Sequence, residues 1–430
     1  MQENTINNPG ARTLSVMEGR DVNSFMIKGF ASAAKKKGWN FCRLSGINSD
    51  RIARFDFDGI PLDYVIFREL SRNNYHEIER VMYWLKKNHK LCINANVAGR
   101  RMSTSDKHFQ QGLFLMDPFL KQYALPTFEA KYKKNVLAYV EAGRVHYPFV
   151  LKDRHGTTGK NITLINGPSD LDQIEDYGRL LIEQYIEPEC DFRVFVIGGA
   201  GVGTMRKKGD LGDPGDFKAW SAGRIRSTEQ NPKTLAELTD IATRAAATSG
   251  LEYAGIDIIK EARTGKLYLL ETNIAAGWPN FVSVTNINIP DLVLDWFEDM
   301  DNGKNLPINE AVTKYIEARK HYLPPSIQAS YDKILDGEPT APDSYAKVFA
   351  NYPHRYLYDA GSLYKKLTDA YHDLVNHPDT KKDYSQLIHE IESMPLSWAG
   401  NYIGPAVGTL HDGAILSALY LFLLHKTTKM

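Results

Sequence analysis

The sequence predicts an α/β protein of several units, and three observations support this class. The chain has 430 residues, which at about 150 residues per domain corresponds to about three folded units. The first hundred or so residues alternate strand-like and helix-like hydrophobic periods. The central part is rich in strands joined by glycine turns, and the part after Pro290 has mainly helical periods. Alternation of strands and helices predicts a parallel sheet covered by helices.

Residues 1–105 form the predicted N-terminal α/β unit. Apolar periodicity predicts strands at 13–18, 40–44, 62–69 and 91–95, and helices at 22–37 and 75–88. The turn after the first strand reads Glu18, Gly19, Arg20, Asp21 instead of G-x-G-x-x-G, so a dinucleotide site is not expected there. The unit is predicted to support the site or to bind substrate.

The central part is predicted as strands, hairpins and two helices. Asn231 is a helix N-cap followed by Pro232, and Gly250 ends that helix. A second hairpin turns at Gly198 and Gly199. The predicted helices are 131–142 and 232–249, and the predicted strands are 149–152, 162–165, 180–185, 191–197, 201–205, 255–260 and 266–272.

The part after Pro290 is predicted to be mostly helical and carries no chemical motif. Its predicted helices are 291–299, 310–322, 326–335, 362–375, 383–393 and 413–425. The apolar run 414–424 is well short of the ~20 residues that span a bilayer. We therefore expect a packed amphipathic helix and no membrane span.

Composition limits the binding partners and the cellular compartment that we expect for this protein. The 52 Lys and Arg residues balance 52 Asp and Glu residues, so no overall field attracts nucleic acid, and none is expected as a partner. Cys42, Cys92 and Cys190 are scattered, which predicts free thiols and a reducing compartment. The polar N-terminus lacks a signal-peptide pattern. A cytoplasmic location is therefore expected.

Three oxygen-bearing side chains on two successive strands predict a metal site. With a period of two, Ile256 and Ile258 face the core and Asp257 faces away, while Leu270 and Thr272 oppose Glu271 and Asn273. Asp257, Glu271 and Asn273 then share one face. Mg²⁺ prefers carboxylate and amide oxygens and often bridges them to nucleotide phosphates. A solvated polar face on two edge strands would show the same pattern.

A lysine and a glycine-rich loop upstream predict phosphate binding. Lys152 ends an apolar strand and leads into Gly156, Thr157, Thr158 and Gly159, whose backbone N–H groups and hydroxyls can approach phosphate oxygens. The loop is not a Walker A motif, because Arg154 stands where the first Gly would be and Asn161 follows the Lys.

Two further segments complete the predicted nucleotide site. The strand ending at Glu183, Gln184, Tyr185 and Ile186 offers free backbone groups as an edge for adenine. Asp191 and Arg193 share one strand face. The acid would bond ribose hydroxyls, and the arginine would reach phosphate or substrate.

In this order the parts resemble the ATP-grasp ligases, in particular the group of the ribosomal-protein S6 glutamate ligase and glutathione synthetase. The resemblance covers about 105–299. It implies an ATP-grasp fold in which two α+β lobes clasp ATP, at 106–198 and 199–300. A Rossmann-like α/β domain would precede them, and a helical extension at 301–430 would follow.

The resemblance also implies roles for individual residues. Lys107 and Lys152 would contact phosphates, residues 184–186 adenine and Asp191 ribose. Asp257, Glu271 and Asn273 would hold Mg²⁺ or Mn²⁺, with two ions expected. Arg206 resembles the arginine that faces the transferred phosphate and acyl group, and the catalytic set is predicted as Arg206, Lys152, Lys218 and Arg193.

The sequence departs from this group at two segments. Residues 216–223 read DFKAWSAG, where Lys218 can keep a basic charge but Trp220 replaces a polar group. Residues 274–279 read IAAGWP, and Trp278 is expected to shape a larger or flatter pocket. Both segments bear on which acyl acceptor binds.

The implied activity is an ATP-dependent carboxylate–amine ligase that works through an acylphosphate. Its partners would be ATP, a carboxylate and an amino acid or peptide amine, and the oligomeric state is left open. Two alternatives remain, a kinase for a polyol or inositol-like hydroxyl and a non-catalytic ATP-binding scaffold. The segment 207–226 is locally basic. Its charges either bind an acidic acyl acceptor or lie on a solvated lid, and they belong to Lys207, Lys208, Lys218, Arg224 and Arg226.

Overall fold

The computed structural model of the chain describes part of its length. The described residues are 10–17, 25–44, 62–67, 85, 90–94, 106–155, 162–198, 200–209, 225–249, 251–274, 276–303, 366, 369–370, 373–374, 376–377 and 382–392. The helices predicted at 310–322, 326–335 and 413–425 lie outside them, as do all of 75–88 except residue 85 and most of 362–375.

A four-stranded parallel sheet occupies the N-terminal part. Its strands are β1 Thr13–Met17, β2 Asn40–Arg43, β3 Tyr64–Phe67 and β4 Leu91–Ile93, in the order β2-β1-β3-β4. All three pairings are parallel, as the alternation of periods predicts. Helix α1, Phe25–Lys36, packs its apolar side against this sheet.

A second sheet is antiparallel and four-stranded. Its strands are β5 Thr127–Glu129, β6 Phe149–Asp153, β7 Ile162–Ile165 and β8 Leu180–Gln184, in the order β5-β8-β6-β7. Helix α2, Lys107–Met116, precedes it, and helix α3, Lys133–Glu141, follows β5. Val136, Phe149, Leu151 and Ile182 are buried in one cluster beneath the sheet.

A third sheet has five antiparallel strands. They are β9 Pro188–Ile197, β10 Ala200–Lys208, β11 Ile225–Thr228, β12 Tyr253–Glu261 and β13 Leu267–Asn273, in the order β11-β10-β9-β12-β13. Helix α4, Pro232–Ser249, covers one face with Leu238, Ile241 and Ala245. The predicted cap is confirmed, because the Asn231 side chain accepts hydrogen bonds from the N–H groups of Lys233 and Thr234.

Strand pairing bears on the predicted boundary between the two lobes at residue 198. Strand β9, which precedes that residue, pairs with β10 and β12, which follow it, in the five-stranded sheet. We therefore propose a separation between β8 and β9, and the other predicted domain boundaries stay predictions.

A β-bulge corrects one predicted side-chain direction. Asp257 pairs with Glu271, but Ile258 pairs with Leu269, so Leu270 is the extra residue. Leu269 is fully buried, whereas Leu270 is half-buried. The prediction that Leu270 faces the core is therefore wrong, because the extra residue shifts the alternation by one.

The remaining described helices join the parallel sheet to the five-stranded sheet. They are α5 Pro279–Thr285, α6 Ile289–Gly303 and α7 Ser385–Glu392. One buried cluster includes Phe30 of α1, Tyr64 of β3, Phe195 of β9, and Trp296 and Phe297 of α6. Its continuity across these elements fixes the five-stranded sheet against the N-terminal part.

Two expectations from composition can be compared with the described residues. All three cysteines are buried and free of disulfide bonds, as predicted. Among the helices that the structure describes, none is both long and apolar enough to cross a membrane.

Candidate active site

Strands β12 and β13 bring together the three side chains predicted to bind metal. Asp257 lies opposite Glu271, and Asn273 lies opposite Gly255, one alternation along the same face. The Asn273 amide Nδ2 donates to Asp257 Oδ2 at 2.8 Å and to Glu271 Oε1 at 2.9 Å. The predicted grouping on one face is therefore present.

Asp257 is the centre of a dense charge network. Strand β9 places Arg193 opposite it, and Arg193 donates from Nε to Oδ1 at 3.0 Å and from Nη2 to Oδ2 at 2.5 Å. Lys207 of β10 donates to Asp257 Oδ1 at 3.2 Å and lies 2.5 Å from Asp191 Oδ2. Burial alone would raise the pKa of Asp257, but Arg193 and Lys207 outweigh it and hold that pKa well below its usual range.

Lys207 is the residue in this network that sequence reasoning assigned elsewhere. The sequence placed it in a basic surface stretch, whereas its side chain is almost completely buried. The predicted strand ended at residue 205, but β10 continues to Lys208 and pairs Lys207 with Asp191. Counting outward from the turn at Gly198 would pair Lys207 with Cys190, because a β-bulge between Gly201 and Gly203 shifts the register by one residue.

The donor set suits a hard cation. No three His, Cys, Asp or Glu residues converge within the described part of the chain, so the protein would offer two carboxylates and one amide oxygen. Magnesium binds such oxygens and commonly keeps its other positions for phosphate oxygens and water. Asp257, Glu271 and Asn273 therefore fit a metal that is shared with a nucleotide.

Helix α2 presents Lys107 to the same group. Asp106 caps the helix by accepting hydrogen bonds from the N–H groups of His108 and Phe109. Lys107 Nζ lies 3.3 Å from Glu271 Oε2. The sequence predicted Lys107 as a phosphate ligand, and the structure places its ammonium beside a predicted metal ligand.

Lys152 forms a buried ion pair in the four-stranded sheet. Its Nζ lies 2.5 and 2.6 Å from the two oxygens of Glu183 on neighbouring β8. Thr127 donates its hydroxyl to the same carboxylate at 2.9 Å. The Glu183 carboxylate therefore faces Lys152, so only the backbone at residue 183 is left to form the predicted adenine edge.

The other predicted adenine residues lie at the end of β8. The Gln184 side chain donates to the carbonyls of His146 and Pro148 and accepts from the N–H of His146, which anchors the end of the strand. Tyr185 and Ile186 follow the strand. The loop residues Gly156, Thr157, Thr158 and Gly159 lie outside the described residues.

Arg154 connects the two groups of candidate residues. It follows β6, and its guanidinium donates to Asp106 Oδ2 at 2.9 and 2.6 Å and to Glu129 Oε1 at 2.6 Å. Since Asp106 caps the helix that begins at Lys107, Arg154 ties the start of the glycine-rich loop to the helix that carries Lys107. The sequence noted Arg154 only as a departure from Walker A.

Arg206 does not join the Asp257 group. It precedes Lys207 on β10, so it points to the other face of the sheet, and its Nη2 donates to Glu189 Oε1 at 2.9 Å. Lys207, not Arg206, contacts Asp257. Lys218, also predicted as catalytic, lies outside the described residues.

Trp278 does not line an open pocket as expected. Only 5% of it is exposed, and its ring packs on Gly29 of α1 and near Phe25. The loop after Asn273 is therefore anchored to the N-terminal part of the chain.

The two antiparallel sheets, one with the buried Lys152 and the other with the Asp257–Glu271–Asn273 group, are similar to those of the ATP-grasp fold. An ATP-grasp ligase named PsnB, solved with a minimal precursor, has this fold with a TM-score of 0.50 and 17% identity, over 67% of this chain and 98% of that chain. Residues 120–297 match the RimK-like ATP-grasp domain. The central part of the chain is therefore similar to the RimK-like ATP-grasp domain.

Curated relatives match about a third of the chain. A probable alpha-L-glutamate ligase of Legionella pneumophila (strain Corby) is 30% identical over 160 residues, which is 35% of this chain and 50% of that protein. A ribosomal protein bS6--L-glutamate ligase of Salmonella paratyphi B is 29% identical over 163 residues, with the same coverage. The chain thus spans about half the length of the curated relatives it matches.

Proposed function

We propose that this protein is an ATP-dependent carboxylate–amine ligase that forms an amide bond through an acylphosphate. The observation that carries the proposal is the Asp257–Glu271–Asn273 face with Arg193 and Lys107 around it. Such a face supplies oxygens for a metal and cations for phosphates. The RimK-like domain and the names of the relatives support the same reaction class.

The chemistry requires positioning and charge neutralisation. The substrate carboxylate attacks the γ-phosphorus of ATP and releases ADP, and an amine then displaces phosphate from the acylphosphate. Phosphoryl transfer needs no covalent nucleophile from the protein. Bound Mg²⁺ would neutralise charge on the phosphate oxygens. We propose two such ions, Mg²⁺ or Mn²⁺.

The position of each charge suggests a role for the residue that carries it. Lys107 and Lys152 would orient phosphates, and Arg193 would hold Asp257 in place while its guanidinium faces the reacting groups. Arg206 and Lys218 are proposed on the resemblance alone. Asp191 is proposed as the ribose ligand on the same resemblance.

The substrates are proposed from the relatives. Both curated relatives are named as glutamate ligases, and PsnB was solved with a precursor. We propose an amino acid of the glutamate type and a peptide or amino acid as the two partners. The kinase alternative uses the same nucleotide groups and differs in its product.

The test is ADP release across a screen of amino acids and short peptides, with product analysis by mass spectrometry. The active pair should yield phosphate and a new amide. Asp257→Asn should lose nearly all turnover, because it removes a charged metal ligand. Asp172→Asn is the control, since Asp172 is an exposed acid paired with Lys133 away from these strands. It should keep wild-type turnover.

Two outcomes would overturn the proposal. A phosphorylated hydroxyl in place of an amide would identify a kinase. Near wild-type ADP release by Asp257→Asn would refute the site assignment.

A further inference from the structure

Lys207 is a buried lysine for which the proposed chemistry has assigned no role. Its side chain is 6% exposed, and its ammonium contacts two acids, Asp191 Oδ2 at 2.5 Å and Asp257 Oδ1 at 3.2 Å. A buried ammonium is costly unless it is paired. The next residue, Lys208, is exposed. The strand therefore places one of two adjacent lysines inside the charge network.

The network has equal numbers of acids and bases. Three carboxylates and three cations form two runs of ion pairs with contacts of 3.3 Å or less, Arg193–Asp257–Lys207–Asp191 and Lys107–Glu271. The Asn273 amide links the two runs by donating to both Asp257 and Glu271. The acids are Asp191, Asp257 and Glu271, and the bases are Lys107, Arg193 and Lys207. A dication that enters this balanced set alone leaves an excess positive charge, whereas a dication that arrives with a polyphosphate brings its own counter-charge.

Contacts at Asp257 indicate which cation yields to a metal. Both carboxylate oxygens already accept hydrogen bonds, so a metal must displace a donor. Arg193 holds Asp257 with two hydrogen bonds. Lys207 makes the longest contact, at 3.2 Å, and has a second partner in Asp191. Lys207 can therefore release Asp257 without losing all of its pairing.

We propose that Lys207 is an internal counter-cation that makes metal binding at Asp257 depend on bound nucleotide. In the nucleotide-free protein, its ammonium neutralises Asp257 and Asp191 and opposes a bare divalent ion. When the nucleotide arrives, its phosphates balance the metal, and Lys207 retreats to Asp191. This inference rests on the proposed function, because it takes Asp257, Glu271 and Asn273 as the metal ligands.

The experiment measures Mn²⁺ binding to the nucleotide-free full chain by calorimetry or electron paramagnetic resonance. Lys207→Met keeps an unbranched side chain of similar length and removes the charge. It should bind bare Mn²⁺ at least about ten-fold more tightly than the wild type. Lys208→Met is the matched control, one residue along the strand and exposed, and should match the wild type. With ADP present, the difference between Lys207→Met and wild type should shrink.

The site of the gained binding is tested by a second substitution. The double variant Lys207→Met, Asp257→Asn should lose the gain in Mn²⁺ affinity that Lys207→Met alone shows. If the double variant kept that gain, the metal would bind elsewhere and the proposal would be overturned. Equal Mn²⁺ affinity of folded Lys207→Met and Lys208→Met would also overturn it.

A measurement on the wild type keeps the proposal testable if Lys207→Met does not fold. Mn²⁺ alone should leave the melting temperature unchanged, and Mn²⁺ with ADP should raise it by more than ADP alone. A rise with Mn²⁺ alone that equals the rise with Mn²⁺ and ADP would refute the counter-cation role. Metal binding and melting temperature are measured without a carboxylate or amine substrate. A lack of ligase turnover would therefore refute the proposed function but would not decide the role of Lys207.

Discussion

Gly29 of helix α1 offers a sharp test of how the N-terminal part is anchored. A Cβ at this position would lie 2.2 and 2.4 Å from two ring carbons of Trp278 and 3.4 Å from Pro290 Cγ. Ordinary contacts begin at about 3.4 Å, so the ring or the helix must move. Replacing Gly by Ala inside an exposed helix usually stabilises by about 0.5–1 kcal/mol, whereas overpacking a core costs about 1–3 kcal/mol.

The clash should outweigh the gain in helix propensity. Trp278 is buried and packs near Phe25 with ring centroids 5.7 Å apart, so its ring has little room to move away from a Cβ at position 29. Gly29→Ala should therefore lower the free energy of unfolding by about 1–2 kcal/mol. Urea unfolding followed by far-ultraviolet circular dichroism measures this change.

Gly112 of helix α2 is the matched control. A Cβ there would have no neighbour within 4 Å, so Gly112→Ala should stabilise by about 0.5–1 kcal/mol. The same substitution is thus expected to act with opposite sign in two helices. If Gly29→Ala raised the unfolding midpoint as Gly112→Ala does, the contact between α1 and Trp278 would be refuted.

Two further predictions concern buried charge. Burial raises the pKa of Glu252 from 4.5 to about 7, so the folded protein holds a proton that the unfolded chain releases, and stability should fall as pH rises between those values. Glu252→Gln should make this pH-dependent loss of stability smaller by roughly 3 kcal/mol. If Glu252→Gln and the wild type lost equal stability between pH 5 and pH 8 in urea unfolding, the raised pKa of Glu252 would be contradicted. Lys152→Met leaves Glu183 buried without its ammonium and should cost about 3–5 kcal/mol, most of which Glu183→Gln in the same chain should restore. Urea midpoints test this, and equal midpoints for the single and double variants would count against the ion pair.

The sequence predicted a strand well where the alternation of apolar residues and the flanking turn residues indicate the same strand bounds. Strand β7 has the predicted bounds, and β12 and β13 lie within two residues of theirs. Strand β9 begins three residues earlier than predicted, at Pro188. A proline can be the first residue of a strand because its missing N–H is not needed there.

The candidate site could be predicted only in part. Asp257, Glu271 and Asn273 follow from a period of two on adjacent strands, because neighbouring strands place equivalent residues on one face. The extra residue Leu270 could not be found this way, since a bulge adds one unpaired residue that interrupts the alternation of two. Lys207 was missed because a charged residue near a turn is usually exposed, and only its pairing with Asp191 shows otherwise.

Strand β13 lies at the edge of the five-stranded sheet, and side chains of helix α2 cover its free edge. This cover matters for any fragment made to isolate the part of the chain that matches the family. The Gln111 amide donates to the carbonyls of Leu269 and Leu270, and Gln110 exchanges two hydrogen bonds with the backbone of Thr272. Both glutamines precede residue 120, where the match to the family begins. A fragment cut at that boundary would expose these backbone groups beside Glu271 and Asn273. Unpaired edges recruit other chains, so such a fragment would self-associate along the strand that carries the metal ligands. One that begins at Asp106 would keep this edge closed.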